Sequence, residues 1–393
     1  MIKKIINRVE KFWLNRIAVP IIERKYANSY IDKHKIVVDN FYGHGFGDNP
    51  KYIVESLLKK EAGLDIVWLA DSLSYNFPNG VRPVLINSLQ ATKELMTASI
   101  WIDNIKNFRK PVKKKDQYYL QTWHAGLGIK ASEAQIEERL SNDYVRTDKE
   151  DSQKIDLMLS DSNWTTNIYS NYFWYDGEIK KTGFPKNDIL INEPECIKAR
   201  VYSEFAIPTN FKIILYAPTF RDFNNDISVY KHDFRKFQIA AKRRFNNNYV
   251  ILIRLHPNIA QKFGNDPIFS FNDQIINASF YPDMQELIIA SEILITDYSS
   301  CMFDGMIANK KVFLLASDYD QFVKKDRKLL FDVSELPFSL STSDEQLITR
   351  IKQFDEKDYI YQLDKFKKDI KLVEPGNASD KVADIIIKQM KTN

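Results

Sequence analysis

Short apolar segments alternate with longer, helix-compatible polar segments from Lys35 onward. Apolar runs without polar alternation are typical of parallel strands that are buried on both faces. Because strands and helices take turns, the sequence predicts an α/β fold with parallel sheets. The strand-like runs form two sets: Ile36–Asp39, Ile66–Ala70, Val84–Asn87, Ile100–Asp103, Tyr118–Trp123 and Leu157–Leu159, and then Ile213–Tyr216, Val250–Leu255, Ile293–Thr296 and Val312–Leu315.

Residues Asn192–Asn210 interrupt this alternation and contain Pro194 and Pro208, so we interpret them as a linker. Two doubly wound domains of similar size, facing each other over a cleft, account for the two sets of strands. The predicted division is an N-terminal segment 1–34, a first domain 35–191, the linker 192–210 and a second domain 211–393 that includes the C-terminal helices.

The N-terminal segment differs from the rest of the chain in charge. Residues 1–25 hold seven basic and two acidic side chains, a net charge of +5, whereas the whole chain carries +4. Apolar residues from Ile2 to Ile17 follow helical spacing, and Pro20 should end or kink the helix. A basic amphipathic helix of this kind suits an anionic membrane surface. The alternative is a helix that packs on the body of the protein.

Composition excludes several classes of protein. A charge of +4 over 393 residues is too small for a nucleic-acid-binding protein, and no apolar run approaches the roughly 20 residues that cross a bilayer. Cys196 and Cys301 lie far apart and cannot form a disulfide framework. We therefore expect a cytosolic or membrane-surface protein without nucleic-acid partners. Whether it forms a homo-oligomer is left open.

Polar residues follow strands of both predicted domains at the point where each strand ends. Ligands of parallel sheets bind beyond the carboxyl ends of the strands, so these residues predict one shared site. His124 and His256 come one from each domain. Histidine titrates near neutrality and can accept a hydroxyl proton or hydrogen-bond a phosphate oxygen. The pair therefore predicts a catalytic cleft.

Ser299 and Ser300 stand between a predicted strand and a predicted helix. Serines in this position are either ordinary helix caps or, with free N–H groups, part of a phosphate site. Lys186 and Arg254 at neighbouring strand ends favour phosphate. Asp304, one turn into the helix, would accept hydrogen bonds from ligand hydroxyls.

Two further motifs have structural explanations. The glycine-rich turn Gly43–Gly47 matches no phosphate-loop fingerprint; a turn with Asp48 as a helix cap explains it, and acceptor binding is the alternative. Asp318 and Asp320 resemble a metal-binding pair, but no cluster of ligands accompanies them. We expect neither a metal nor a cofactor.

Several motifs in a fixed order resemble the CDP-glycerol glycerophosphotransferase family, the teichoic-acid primases and polymerases, over about Lys35 to Ile387. This resemblance implies a GT-B-like fold with two Rossmann-type domains, and CDP-glycerol or CDP-ribitol as the donor substrate. The motifs are Gln121–His124, Gly183–Asp188, Leu215–Thr219, Arg254–Pro257 and Thr296–Ser300, with Asp48–Tyr52 and Glu374–Ser379 as further landmarks.

The resemblance also implies residue roles. His124 is the catalytic base and His256 contacts the nucleotide diphosphate. The CDP-glycerol site is lined by Lys186, Pro218, Thr219, Arg254, Leu255, Ser299, Ser300 and Asp304. Two motifs depart from the family pattern. The family commonly continues as Trp-His-Gly-Thr-Pro-Leu-Lys, whereas this chain has Ala125-Gly126-Leu127-Gly128-Ile129-Lys130 after the histidine. Lys186 replaces an arginine, which keeps the charge but loses the bidentate fork.

The sequence thus predicts an enzyme that transfers glycerol phosphate or ribitol phosphate from a CDP donor to a hydroxyl of a lipid-linked or polymer acceptor, releasing CMP. Its place would be wall teichoic acid or related cell-envelope synthesis, on the cytoplasmic face of the membrane. One alternative is a GT-B glycosyltransferase that uses a nucleotide sugar for capsule or cell-wall polysaccharide. The other is a non-catalytic membrane-associated scaffold, which would bind no nucleotide.

Overall fold

The computed structural model describes residues 17–106, 110–131, 133–221, 227–263, 266–325, 329–330 and 333–392. The first half of the chain builds a parallel sheet whose strands are β1 Asp32–Asp39, β2 Asp65–Ala70, β3 Val81–Leu85, β4 Ala98–Asp103, β5 Tyr118–Gln121, β6 Leu157–Ser160 and β7 Glu178–Lys181. The spatial order is β3-β2-β1-β4-β5-β6-β7. The helices of this half are α1 Val19–Tyr26, α2 Asp48–Lys60, α3 Leu89–Thr97, α4 Asn142–Ser152, α5 Asn163–Tyr172 and α6 Asp188–Asn192.

The second half builds another parallel sheet from β8 Phe211–Tyr216, β9 Asn248–Ile253, β10 Ile275–Asn277, β11 Ile293–Thr296, β12 Lys311–Leu315 and β13 Ser339–Ser341, in the order β10-β9-β8-β11-β12-β13. The helices from the linker to the C-terminal end of the described chain are α7 Glu195–Glu204, α8 Phe234–Phe245, α9 Pro257–Phe263, α10 Met284–Ala290, α11 Cys301–Ile307, α12 Tyr319–Lys325, α13 Asp344–Lys352, α14 Glu356–Asp369 and α15 Ala378–Thr392. Short 3₁₀ helices lie at Glu133–Arg139, Pro185–Asn187, Ile227–Tyr230, Pro267–Phe269 and Val333–Glu335.

Both sheets have the same winding. Numbered within its own half, each follows the order 3-2-1-4-5-6, and the first sheet adds a seventh strand at the edge. This is the doubly wound arrangement in which the direction of winding reverses between the first and fourth strands. Those reversals lie between β1 and β4 in the first sheet and between β8 and β11 in the second. The predicted parallel α/β architecture is confirmed, and each half has one crevice that suits a ligand.

Apolar strand residues explain why both sheets are covered on both faces. Ile36 and Val38 of β1 point into one core, while Val37 points into the core on the opposite face. In β8, Ile213 and Ile214 divide in the same way between two cores. This is the burial expected from continuous apolar runs in a parallel sheet.

The last helix returns to the first half of the chain. The sequence-based division assigned residues 211–393 to the second domain, but Val382, Ala383 and Ile386 of α15 are buried in a core of the first sheet. Asp188 anchors the start of the helix, because its carboxylate accepts the N–H groups of Ala378 and Ser379, each at 2.7 Å. The amphipathic face of α15 thus covers the first sheet, which corrects the predicted boundary.

Most of the predicted N-terminal basic helix lies outside the described residues. In the part that the structure describes, Pro20 occupies the first turn of α1, so the chain stays helical beyond it. Proline is tolerated there because the first N–H groups of a helix need no intrahelical partner. Ile17 and Ile21 are exposed. No helix within the described ranges is both apolar enough and long enough to cross a bilayer.

Candidate active site

A large cavity of about 2380 Å³ lies at the carboxyl ends of the strands of both sheets. Every residue that the sequence singled out for the site lines it: His124, Lys186, Pro218, Thr219, Arg254, Leu255, His256, Ser299, Ser300 and Asp304. The structure therefore brings together residues that lie up to 180 positions apart in sequence. Strand-end position was the signal for most of them, and the family resemblance supplied Pro218, Thr219 and Leu255.

His124 is half-buried and follows β5 through a sharp turn in which Trp123 takes a left-handed backbone conformation, φ 52°. The Nδ1 atom lies 3.1 Å from the backbone carbonyl of Asn104. A carbonyl only accepts, so Nδ1 carries the hydrogen and Nε2 of the neutral ring keeps its lone pair. Burial lowers the pKa of His124 to about 4, and the Lys186 ammonium acts in the same direction. The ring is therefore neutral at physiological pH and can accept a proton.

Lys186 connects the two halves of the cavity. Its Nζ atom lies 3.2 Å from Oδ2 of Asp304, although both side chains are largely buried. Burial opposes the charged ammonium, but the carboxylates of Asp304 and Asp48 hold the pKa of Lys186 above its usual value. A fixed positive charge thus lies in the cavity beside Asp304 of α11.

The predicted role of Asp48 as a helix cap is wrong. The helix begins at Asp48 itself, whose Oδ1 accepts a hydrogen bond of 3.1 Å from Nδ2 of Asn104. Burial raises the pKa of this carboxyl group. Asp48 therefore belongs to the wall of the cavity rather than to the helix end.

Thr219 is fixed in place by its backbone. Its N–H donates to Oδ1 of Asp297 at 2.8 Å, and its carbonyl accepts from Nη1 of Arg221 at 2.7 Å. Its side-chain hydroxyl is buried and has no hydrogen-bond partner among the residues that the structure describes. A buried hydroxyl without a partner is costly, so a ligand atom in the cavity is the natural partner for it.

Arg221 organises the wall behind Thr219. Its guanidinium pairs with Asp297 at 2.8 Å and with Asp318 at 2.6 Å, and it lies over the ring of Tyr298. The Asp318 carboxylate is therefore an ion-pair partner. Within the described ranges, no group of three or more His, Cys, Asp or Glu side chains is arranged to hold a metal ion.

Three predicted residues line the second-domain side in different ways. His256 is exposed and its ring stacks on Phe220 with a centroid distance of 5.5 Å. The Arg254 guanidinium donates to the carbonyl of Tyr281. The side chain of Leu255 packs in the core, and its backbone N–H donates to Oγ of Ser279 at 3.1 Å. Leu255 therefore shapes the wall through its backbone.

The paired serines are not ordinary caps. Ser300 is the residue before α11, yet its side chain makes no capping hydrogen bond. Ser299 Oγ accepts a long bond of 3.4 Å from the N–H of Cys301. Both hydroxyls line the cavity, where they are positioned to hydrogen-bond a ligand.

Asn104 is one of two residues around the site that the sequence interpretation missed. It is fully buried directly after β4, and it contacts both His124 and Asp48. The signal was present, because Asn104 follows a buried strand just as the predicted residues do. Gln285, whose amide donates to Asp304 at 3.1 Å, had no such signal, since it lies within a helix.

Two parallel sheets of similar winding, with a neutral histidine, a buried ammonium and cavity-lining hydroxyl groups at their carboxyl ends, define a GT-B-like fold with a polar cleft. The chain belongs to the CDP-Glycerol:Poly(glycerophosphate) glycerophosphotransferase family, which matches residues 21–388. It is similar to a histidine variant of the wall teichoic acid polymerase TagF whose structure was determined after a soak with CDPG. The TM-score is 0.84 with 26% identity, over 100% of this chain and 98% of that chain.

Two curated relatives differ in length. A teichoic acid glycerol-phosphate transferase of Staphylococcus aureus is 29% identical, over 93% of this chain and 95% of its own length. A teichoic acid poly(glycerol phosphate) polymerase of Staphylococcus epidermidis is 31% identical over 91% of this chain, which spans only 51% of that protein. The chain therefore corresponds to about half of the longer polymerase and to nearly all of the shorter transferase.

Proposed function

We propose that this chain transfers glycerol phosphate, or ribitol phosphate, from a CDP-polyol donor to a hydroxyl group of a lipid-linked or polymer acceptor, and releases CMP. Membership of the glycerophosphotransferase family supports the reaction class. The observation that carries the mechanism is the placement of neutral His124 in one cavity with Lys186, Thr219 and Ser300.

In the proposed reaction, Nε2 of His124 accepts the proton of the acceptor hydroxyl. The acceptor oxygen forms a bond to the phosphorus that carries the polyol, and the bond from this phosphorus to the oxygen of CMP breaks. Lys186 and Arg254 would stabilise the charge on the phosphates, together with His256. The hydroxyl groups of Thr219, Ser299 and Ser300 would hold the phosphate oxygens in position.

The acceptor and the place of action are part of the same proposal. A lipid-linked acceptor lies in a membrane, and in this proposal the enzyme works at the cytoplasmic face as a peripheral protein. The +5 charge of residues 1–25 supports this location, because anionic lipids attract basic segments. Removal of residues 1–25 should reduce binding to anionic vesicles far more than it reduces turnover of soluble donor.

The direct test measures CMP release by the purified protein. CDP-glycerol and CDP-ribitol are compared as donors, with a lipid-linked disaccharide as acceptor, and UDP-sugars test the glycosyltransferase alternative. His124→Ala should abolish CMP release while the circular dichroism spectrum and thermal unfolding stay as in the wild type. Near-normal turnover by that variant, or turnover of UDP-sugars alone, would exclude the proposal.

A further inference from the structure

The loop after β1 holds two aromatic residues in a backbone conformation that side chains rarely adopt. Phe41 and Tyr42 have φ values of 46° and 59°, followed by Gly43 at 89°. Left-handed conformations are unfavourable for residues with a Cβ atom, and strain of this kind concentrates at functional sites. At Gly43 a Cβ atom would come within 2.6 Å of the backbone nitrogen of Asp71, so that position requires glycine.

Hydrogen bonds from buried side chains hold this loop. The N–H of Phe41 donates to Oδ1 of Asn104 at 2.9 Å, and Nδ2 of Asn104 donates to Oδ1 of Asn40 at 2.8 Å. The N–H of Gly43 donates to Oδ1 of Asp39 at 2.7 Å. The backbone carbonyl of Asn104 also accepts from Nδ1 of His124, so one buried residue fixes the aromatic loop through its side chain and the histidine ring through its carbonyl.

The two aromatic rings lie in the cavity at the reversal point of the first sheet. Phe41 is 37% exposed and Tyr42 is 47% exposed, and both line the cavity. The Phe41 ring centroid is 5.2 Å from that of His124. The surrounding wall also offers polar groups, because His44 and Tyr75 line the cavity. Apolar rings with a few placed polar groups are typical of small-ligand sites.

We propose that Phe41 and Tyr42 form the subsite for the acceptor, and that their rings stack on the C–H face of its terminal sugar or polyol unit. This inference rests on the proposed function. The phosphate-suited hydroxyl groups Thr219, Ser299 and Ser300 all come from the second domain, so the donor lies on that side. The acceptor hydroxyl must reach His124 from the first-domain side, where the aromatic pair lies beside the imidazole ring.

The test replaces Tyr42, because Phe41 also contacts the histidine. Tyr42→Asn removes the ring, and asparagine tolerates the left-handed conformation. The acceptor KM should rise about three- to tenfold, the range expected from an aromatic contact, while the donor KM changes less than about twofold. Thermal unfolding should occur at an equal or higher temperature, because the strain is relieved. Tyr42→Phe should restore an acceptor KM close to that of the wild type.

The matched control is Tyr361→Asn, which removes an exposed tyrosine ring on α14 outside the cavity. It should leave both KM values unchanged. An acceptor KM unaffected by Tyr42→Asn, or a parallel rise of both KM values, would overturn the subsite. Failure of the proposed function is distinguishable, because the wild-type chain would then release no CMP from either CDP-polyol. In that case saturation-transfer NMR of the wild-type chain with the acceptor saccharide should show a signal that Tyr42→Asn removes. Equal signals from the wild type and the variant would overturn the inference.

Discussion

Gly126 lies two residues after His124, and its replacement offers a direct test of how tightly the histidine loop is packed. A Cβ atom at this position would come within 2.7 Å of Cγ of Asp161 and closer still to the ring of Phe184. Neither neighbour can move easily. Asp161 is buried and bound to Thr165 at 2.6 Å, and Phe184 is fully buried. The loop must therefore shift.

The flanking residues limit that shift. The Ala125 carbonyl accepts a hydrogen bond from Tyr169 at 3.0 Å, and Leu127 packs in a core of the second half. Overpacking of this kind costs about 1–3 kcal/mol. In a domain of this size, that cost corresponds to a decrease in Tm of roughly 2–12 °C. A displacement of His124 by about 1 Å would lower kcat about 100-fold.

Differential scanning fluorimetry and CMP release measure these two effects for Gly126→Ala. The matched control is Gly128→Ala, because a Cβ atom two residues further along meets nothing within 4 Å. The control should unfold within about 2 °C of the wild type, as expected for a substitution away from packed features. Equal Tm and kcat values for the two variants would refute the conclusion that close packing at Gly126 positions His124.

Three further predictions concern titratable or charged side chains in the cavity or directly behind its wall. An NMR titration of the His124 ring, assigned with His124→Gln, should give a midpoint near pH 4. Because this pKa lies below that of the unfolded chain, the free energy of unfolding should increase as the pH rises from about 4 to 6.5. A midpoint near 6.5 would contradict the burial of the ring. Lys186→Met leaves the Asp304 carboxylate without its ammonium and should cost about 3 kcal/mol in urea unfolding, whereas adding Asp304→Asn should recover part of that loss. Arg221→Lys loses the hydrogen bond to the carbonyl of Thr219, so the donor KM should rise about tenfold with the acceptor KM unchanged.

The alternation of apolar and polar segments was sufficient to predict both sheets, because buried parallel strands require continuous apolar runs. The apolar runs leave out β7, in which only Ile179 is apolar, and also β10 and β13, which have only three residues each. The course of α15 could not be predicted, since its apolar face would cover either sheet equally well. The contact with the first sheet depends on Asp188, whose carboxylate binds the helix start from 190 positions away. Such a pairing has no local signal in the sequence.

Strand-end position predicted the site residues better than it predicted how each one contributes. Leu255 and His256 are neighbours in one motif, yet the Leu255 side chain is buried in the core and the His256 ring is exposed. Both residues lie just beyond the end of β9. Side chains there no longer alternate between two covered faces of the sheet, so one can be buried while its neighbour is exposed. Asn104 was missed although it satisfies the same rule, because an asparagine after a strand is also typical of an ordinary turn.

Neighbouring residues of the motif Asp48–Tyr52 have different roles around the cavity. Asp48 lines the cavity, but Lys51 lies 2.7 Å from Asp283 of the second half, and the Tyr52 hydroxyl donates to the same carboxylate at 2.8 Å. Burial alone would raise the pKa of Asp283, yet the Lys51 ammonium holds it below its usual value. Asp283 therefore stays charged at neutral pH and joins the two halves beside the cavity. The geometry between His124 and the second-domain hydroxyls depends on this junction, so the motif Asp48–Tyr52 helps to determine the shape of the cavity that lies between them.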